Sequence, residues 1–156
     1  MLAVVPEKKE SQSEEGLGRS QGGFSTKIHL ICDALGMPLD FCITAGQTHD
    51  CTQAIELLKR FTYDYALMDK AYDVNAIIEH IEANGAVAVI PTKKNRVIPR
   101  EYDKHIYKER HQIECTFGWL KYFRRIFSRF EKTKKRFADF FAFSAAFSRM
   151  RYLNNA

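Results

Sequence analysis

Tyr107, Arg110, Glu114 and Lys121 follow one another at spacings of three, four and seven, which places all four along one face of an α-helix. Ile113, Phe117, Leu120 and Phe127 form the neighbouring apolar stripe. A helix that packs by this stripe aims Glu114 at a site, with Arg110 one turn before it and Lys121 two turns after. The same spacing also makes Arg110 and Glu114 an ordinary i,i+4 ion pair. Around this helix the chain is basic: residues 93–136 hold 15 Lys and Arg against 5 Asp and Glu, while the rest of the chain is net acidic. With Tyr102, Tyr107, Phe117, Trp119, Tyr122, Phe123, Phe127 and Phe130 interleaved, such a block suits a phosphate backbone, with cations to release counterions and rings to anchor the helix. A solvated helix face would look alike in charge alone.

The elements that must position these residues are readable from patterning. Residues 7–23 are polar and rich in Glu, Ser, Gln and Gly, a composition that buries too little surface to order itself, and are expected to be a mobile loop. Alternation at Thr26, Ile28, Leu30 and again at Leu39, Phe41, Ile43, around a turn at Asp33–Gly36, predicts a β-hairpin. Asp50 followed by Gln53 reads as a capping box ahead of a helix through Ala54, Ile55, Leu57 and Leu58. A run ending at Asp69, helical spacing from Val74 to Asn84, and Ala86–Ile90 closed by Pro91 make a β-α-β unit, with Asp73 as N-cap of its helix. Residues 92–102 form a basic loop, Tyr107 to about Phe130 one long helix, and Arg136–Leu153 a last helix whose Phe137, Phe140, Phe141, Phe143, Phe147 and Met150 are read as buried core.

At 156 residues the chain suits one domain. Cys32, Cys42, Cys51 and Cys115 lack the close pairing of a zinc site and are read as reduced thiols in or near the core. No apolar run is long enough to span a bilayer and no basic-then-apolar leader is present, so a cytoplasmic protein is expected. His29 and His49 are read as structural.

The order Tyr-x2-Arg-x3-Glu-x6-Lys, from Tyr107 to Lys121, resembles the signature around the final glutamate of the large bacterial insertion-sequence transposase group with an RNase H-like DDE domain. Residues 18–29 (GRSQGGFSTKIH), 46–50 (GQTHD) and 68–73 (MDKAYD) resemble further blocks of that group, in the same order. The resemblance covers nearly everything from Gly16 to Leu153. It implies an α/β fold with an RNase H-like mixed sheet flanked by helices, and a Mg²⁺-dependent (or Mn²⁺-dependent) enzyme that cuts and joins DNA at insertion-sequence ends. Asp69 resembles the family's second catalytic aspartate and Glu114 its glutamate, both metal-binding. Tyr107, Arg110 and Lys121 match supporting positions and, with Arg124 and Arg125, are implied to serve DNA contact. Two Mg²⁺ ions clamping attacking and leaving oxygens need hard carboxylate oxygens, which explains the acids.

The family's first aspartate sits on a strand upstream of the Gly18 block, and Met1–Glu15 contains no Asp. Asp33 and Asp40 belong to the following hairpin. Residues 1–23 are therefore expected to be a flexible remnant and 24–156 a partial DDE domain lacking its central strand, with Leu2–Val5 a short substitute. DNA ends and target DNA, possible copies of the chain itself, and no membrane are the implied partners. The alternative is a non-catalytic DNA-binding remnant or the partial product of a split gene; an unrelated RNA-binding domain would leave the matching blocks unexplained.

Overall fold

The computed structural model describes residues 18–20, 23–128 and 131–155. Three strands, β1 (Gly18–Ser20), β2 (Gly23–Cys32) and β3 (Pro38–Ala45), form a sheet in that order. β1 pairs antiparallel with β2, Arg19 opposite Phe24, so the end of the stretch read as loop is a strand. The rest of that stretch and Leu2–Val5 lie outside the described residues. The connection from β2 to β3 is too short for a crossover and makes the hairpin antiparallel. Asp33 builds its turn: its carboxylate accepts from the Leu35 and Met37 N–H groups at 2.9 and 2.8 Å. Gly36 supplies the left-handed residue at φ 77°. Pro38 is tolerated because it is the first residue of its strand.

The chain divides into two compact units. One comprises residues 29–41 and 49–117; the other runs to Ile28 and takes up 42–48 and everything from Gly118 onward. In the first, helix α1 (Cys51–Leu58) begins where expected, but without the capping box. Asp50 is itself helical and makes no side-chain cap bond; the His49 carbonyl accepts from both Thr52 N–H and Thr52 Oγ1 instead. The β-α-β unit is formed by β4 (Tyr65–Leu67), α2 (Asn75–Ala83) and β5 (Val87–Val89), the two strands parallel with Ala66 opposite Ala88. Gly85, at φ 76°, ends α2: its N–H bonds the Glu82 carbonyl while the Ala86 N–H reaches Ile81, the double bond that a left-handed C-cap allows. Ala54, Leu58, Ala66, Ile77, Ile78, Ile81, Ala86 and Ile90 are the core of this unit.

Tyr107 to Phe130 is not one helix. The path is α3 (Lys104–Tyr107), a 3₁₀ turn (Lys108–Arg110), α4 (His111–Leu120) and, after a break, α5 (Arg124–Phe127), with Phe130 outside the described residues. Gly118 is not the weak point, for α4 runs through it to Leu120. The break falls at Phe123, whose backbone is extended (φ −72°, ψ 103°). Its ring packs edge-on against Trp119, Phe140 and Phe147 at centroid distances of 5.0, 6.2 and 6.2 Å. Burying that ring outweighs the helix propensity of the segment, a tertiary override no local pattern shows.

The last helix, α6 (Lys134–Asn155), buries less than expected. Phe137, Phe141 and Ser144 form its inner stripe, all nearly inaccessible, and Phe140 and Phe147 meet the rings on the preceding turn. Phe143 and Met150 are more than half exposed; they lie on a different side of the helix from the 137–141–144 stripe. All four cysteines are free thiols. Cys115 is exposed rather than near the core, and burial pushes the Cys32 thiol up to about 12.

Candidate active site and nucleic-acid interface

Three of the four residues on the signature face come together. The Arg110 guanidinium lies over the Tyr107 ring, 5.8 Å from its centroid, and Tyr107 in turn meets Tyr102 edge-on at 5.4 Å. On its other side Arg110 is ion-paired with Glu114. The 3₁₀ turn ahead of α4 sets this spacing by tightening the backbone between Tyr107 and His111. Glu114 sits in the first turn of α4, where the helix dipole favours its charge. Its side chain is 59% exposed, so one oxygen is held by Arg110 while the carboxylate still faces solvent.

Lys121 lies just past the end of α4, in the turn where Tyr122 and Phe123 N–H groups fold back onto Trp119 and Leu120. It is exposed. Arg124 opens α5, and Arg125 is committed to local contacts: its Nε lies 3.5 Å from Glu131 and its guanidinium 5.4 Å from the Phe140 ring centre.

Asp69 stands two residues beyond β4, in extended conformation, as the N-cap of the 3₁₀ turn Lys70–Tyr72. One carboxylate oxygen accepts from the Ala71 N–H at 2.7 Å. Both site carboxylates are thus oxygen donors of the kind hard cations take, each with one oxygen engaged in the protein. Among the described residues no group of three or more His, Cys, Asp or Glu side chains is arranged to hold a metal ion.

Sequence patterning missed Asp73. It is not the N-cap of α2; Val74 takes that position and makes no side-chain cap bond. Asp73 is buried instead and anchors the loop after β5. One oxygen accepts from the Lys93 N–H at 2.8 Å and Arg96 Nε at 2.9 Å, while the other faces Arg96 Nη2 at 2.8 Å and Arg100 Nη1 at 3.7 Å. Asn75 Oδ1 accepts from both guanidinium groups as well. Burial pushes the carboxyl up, but the Lys93 N–H and the two arginines more than offset it and hold Asp73 below the usual carboxylate range. No spacing rule links residue 73 to residues 96 and 100 across a helix and a strand. His29 is buried, in keeping with a structural role, and His49 is exposed.

With this geometry in view, the kinship of the chain is clear. A family model described as the transposase DDE domain matches residues 3–147. The transposase assigned to insertion sequence element IS6501 of Brucella ovis is 40% identical over 121 residues, which cover 74% of this chain and 91% of the relative. That assigned to insertion sequence element IS402 of Burkholderia cepacia is 29% identical over 121 residues, 69% of this chain and 54% of the relative. No solved structure matches. The chain belongs to the DDE transposase domain family of insertion sequences, whose work is DNA transposition and whose members generally use a divalent metal ion. Among the described residues no helix is long and apolar enough to cross a membrane.

Proposed function

We propose that this chain supplies Asp69 and Glu114 to the active site of a DNA transposase that cuts and joins phosphodiester bonds at insertion-sequence ends. The observation that carries this reading is the Tyr107–Arg110–Glu114 stack, a carboxylate oriented by a guanidinium that is itself fixed on a ring. An exposed ion pair contributes about 0–1 kcal/mol to stability, so the fold gives little reason for this arrangement. Asp69 and Glu114 would hold Mg²⁺ or Mn²⁺, which when bound stabilises charge on the attacking and leaving oxygens. Arg110 orients Glu114, and Lys121, Arg124 and Arg125 serve the phosphate backbone.

The finer fold reading is an RNase H-like, partial DDE domain of residues 24–156, to whose sheet the strand Gly18–Ser20 adds. Among the described residues a three-stranded sheet and a parallel strand pair are formed, both compatible with such a mixed sheet, whose central strand is expected upstream of them. That strand would carry the family's first aspartate, so the third carboxylate comes from outside the Asp69 and Glu114 blocks. The second reading is a partial product of a split transposase gene that binds DNA without cutting it.

The test is a strand-transfer assay with a duplex bearing insertion-sequence ends, Mg²⁺ or Mn²⁺, and the chain alone or fused to an upstream segment bearing that aspartate. Joined products are expected from the fusion, lost on Asp69→Ala and on Glu114→Gln with circular dichroism unchanged. Products from the chain alone would overturn the need for the upstream aspartate; products that survive Asp69→Ala would overturn the assignment of Asp69.

A further inference from the structure

The loop after β5 is anchored far more firmly than its exposed tip requires. Thr92 and Arg100 close its neck, the Thr92 hydroxyl donating to the Arg100 carbonyl at 2.9 Å and accepting from the Arg100 N–H at 3.0 Å. A turn from Lys93 to Arg96 is closed by the Arg96 N–H at 3.1 Å, and buried Asp73 clamps this turn from below. On this base stand Val97, 95% exposed, and Ile98, 77% exposed. Between Thr92 and Arg100 there are four cations and no acid, and the single Asp73 carboxylate leaves the loop strongly positive. Lys94 points into solvent and Lys93 is half-buried.

Two β-branched apolar side chains held in water on a rigid, basic support are preorganised for a partner that is anionic outside and apolar within. Duplex DNA fits that description: phosphates flank each groove, and base steps accept apolar wedges that partly unstack them. We propose that residues 92–100 form a DNA wedge, with Val97 and Ile98 seated against a base step and Lys93 and Lys94 on the adjoining phosphates. The proposal rests on the DNA-binding reading above and adds to it which segment enters the duplex. Because the Asp73 clamp and the Thr92–Arg100 neck already fix the loop, little ordering entropy remains to oppose insertion.

The test compares the full chain with Val97→Ser/Ile98→Ser and with Lys93→Ala/Lys94→Ala on a short duplex carrying 2-aminopurine at a TA step, read by anisotropy and by fluorescence. The parent should brighten the fluorophore on binding, as unstacking does. The apolar double variant should lose that brightening and bind about tenfold more weakly, with the salt dependence unchanged. The lysine double variant should lower the slope of log affinity against log salt by about 1.8, two phosphate contacts' worth. Equal melting temperatures would show that the exposed tip leaves the fold intact. A parent that binds the duplex with normal salt dependence, yet is matched by the apolar double variant in affinity and brightening, overturns the wedge and leaves DNA binding standing. A parent that binds no duplex overturns both. Loss of a dimer in sedimentation when the tip is made polar would reassign the tip to contact between copies of the chain.

Discussion

Replacing Asp73 by Asn tests the anchor of the basic loop directly. The substitution keeps the shape, and the amide oxygen can still accept from the Lys93 N–H, but Arg96 and Arg100 lose their counter-charge. Breaking a buried ion pair from one side costs roughly 3–5 kcal/mol because the remaining charge is stranded. Here the Arg96 and Arg100 side chains are 21% and 35% exposed, so water recovers part of that cost and about 2–3 kcal/mol is expected. For a chain of this size that lowers the melting temperature by about 5–10 °C. The pH dependence fixes the mechanism. Asp73 is held below its usual range when folded, so its contribution is complete above the unfolded value of about 3.9 and is lost as pH falls through the lower folded value. The gap between parent and Asp73→Asn should therefore be full at neutral pH and close in acid below about pH 4. Urea melts across that range measure it. A variant within about 0.5 kcal/mol of the parent at neutral pH, or a gap that persists undiminished in acid, would refute the clamp.

Gly36→Ala and Gly85→Ala separate backbone strain from close approach. Both glycines have φ near 77°, but a Cβ on Gly36 would meet Thr116 Oγ1 at 3.0 Å and the Gln112 carbonyl at 3.2 Å, whereas one on Gly85 meets nothing within 4 Å. Each should cost about 1 kcal/mol for the left-handed backbone, with a further loss at Gly36 alone; equal urea midpoints would mean that Thr116 simply moves aside. Lys121→Glu with Arg125→Glu should weaken DNA binding more steeply than Lys59→Glu with Arg60→Glu, since the first two belong to the basic segment 93–136 while the others lie in the net-acidic remainder of the chain. Equal losses in a salt titration would remove the basic segment from the interface.

The elements legible in the sequence were those set by neighbours a few residues apart. The hairpin, its Asp33 turn and the β-α-β unit follow from alternation, a turn carboxylate and a short apolar strand, and each formed where those signals lie. What failed to show was set at long range. Phe123 breaks a helix because rings on α6 lie where its ring can pack, and Asp73 turns away from α2 because Arg96 and Arg100 return to it after β5. In both cases a partner distant in sequence overrode the local preference. The i,i+3 and i,i+4 spacing of Tyr107, Arg110 and Glu114 was legible and survives the 3₁₀ turn between the helices, so the three meet, whereas the end of α4 before Lys121 was not.

The described carboxylates can be sorted by whether the fold accounts for them. Asp33 makes a turn, Asp73 clamps a loop, and Asp103 caps α3 through the His105 and Ile106 N–H groups, which hold it below its usual range. Asp40 fastens Arg60 to the hairpin. Asp69 is divided: one oxygen caps a single 3₁₀ turn, a modest structural role for a residue at the mouth of a parallel strand pair. Glu114 has a small structural role. Among the described residues its partner is Arg110, in a largely exposed i,i+4 pair whose stabilisation is small, yet Arg110 is itself fixed on the Tyr107 ring. A side chain held in place for so little stability is what the proposed role of Glu114 as a metal-holding carboxylate requires, and loss of joined products on Glu114→Gln with the fold intact is the result that would bear it out.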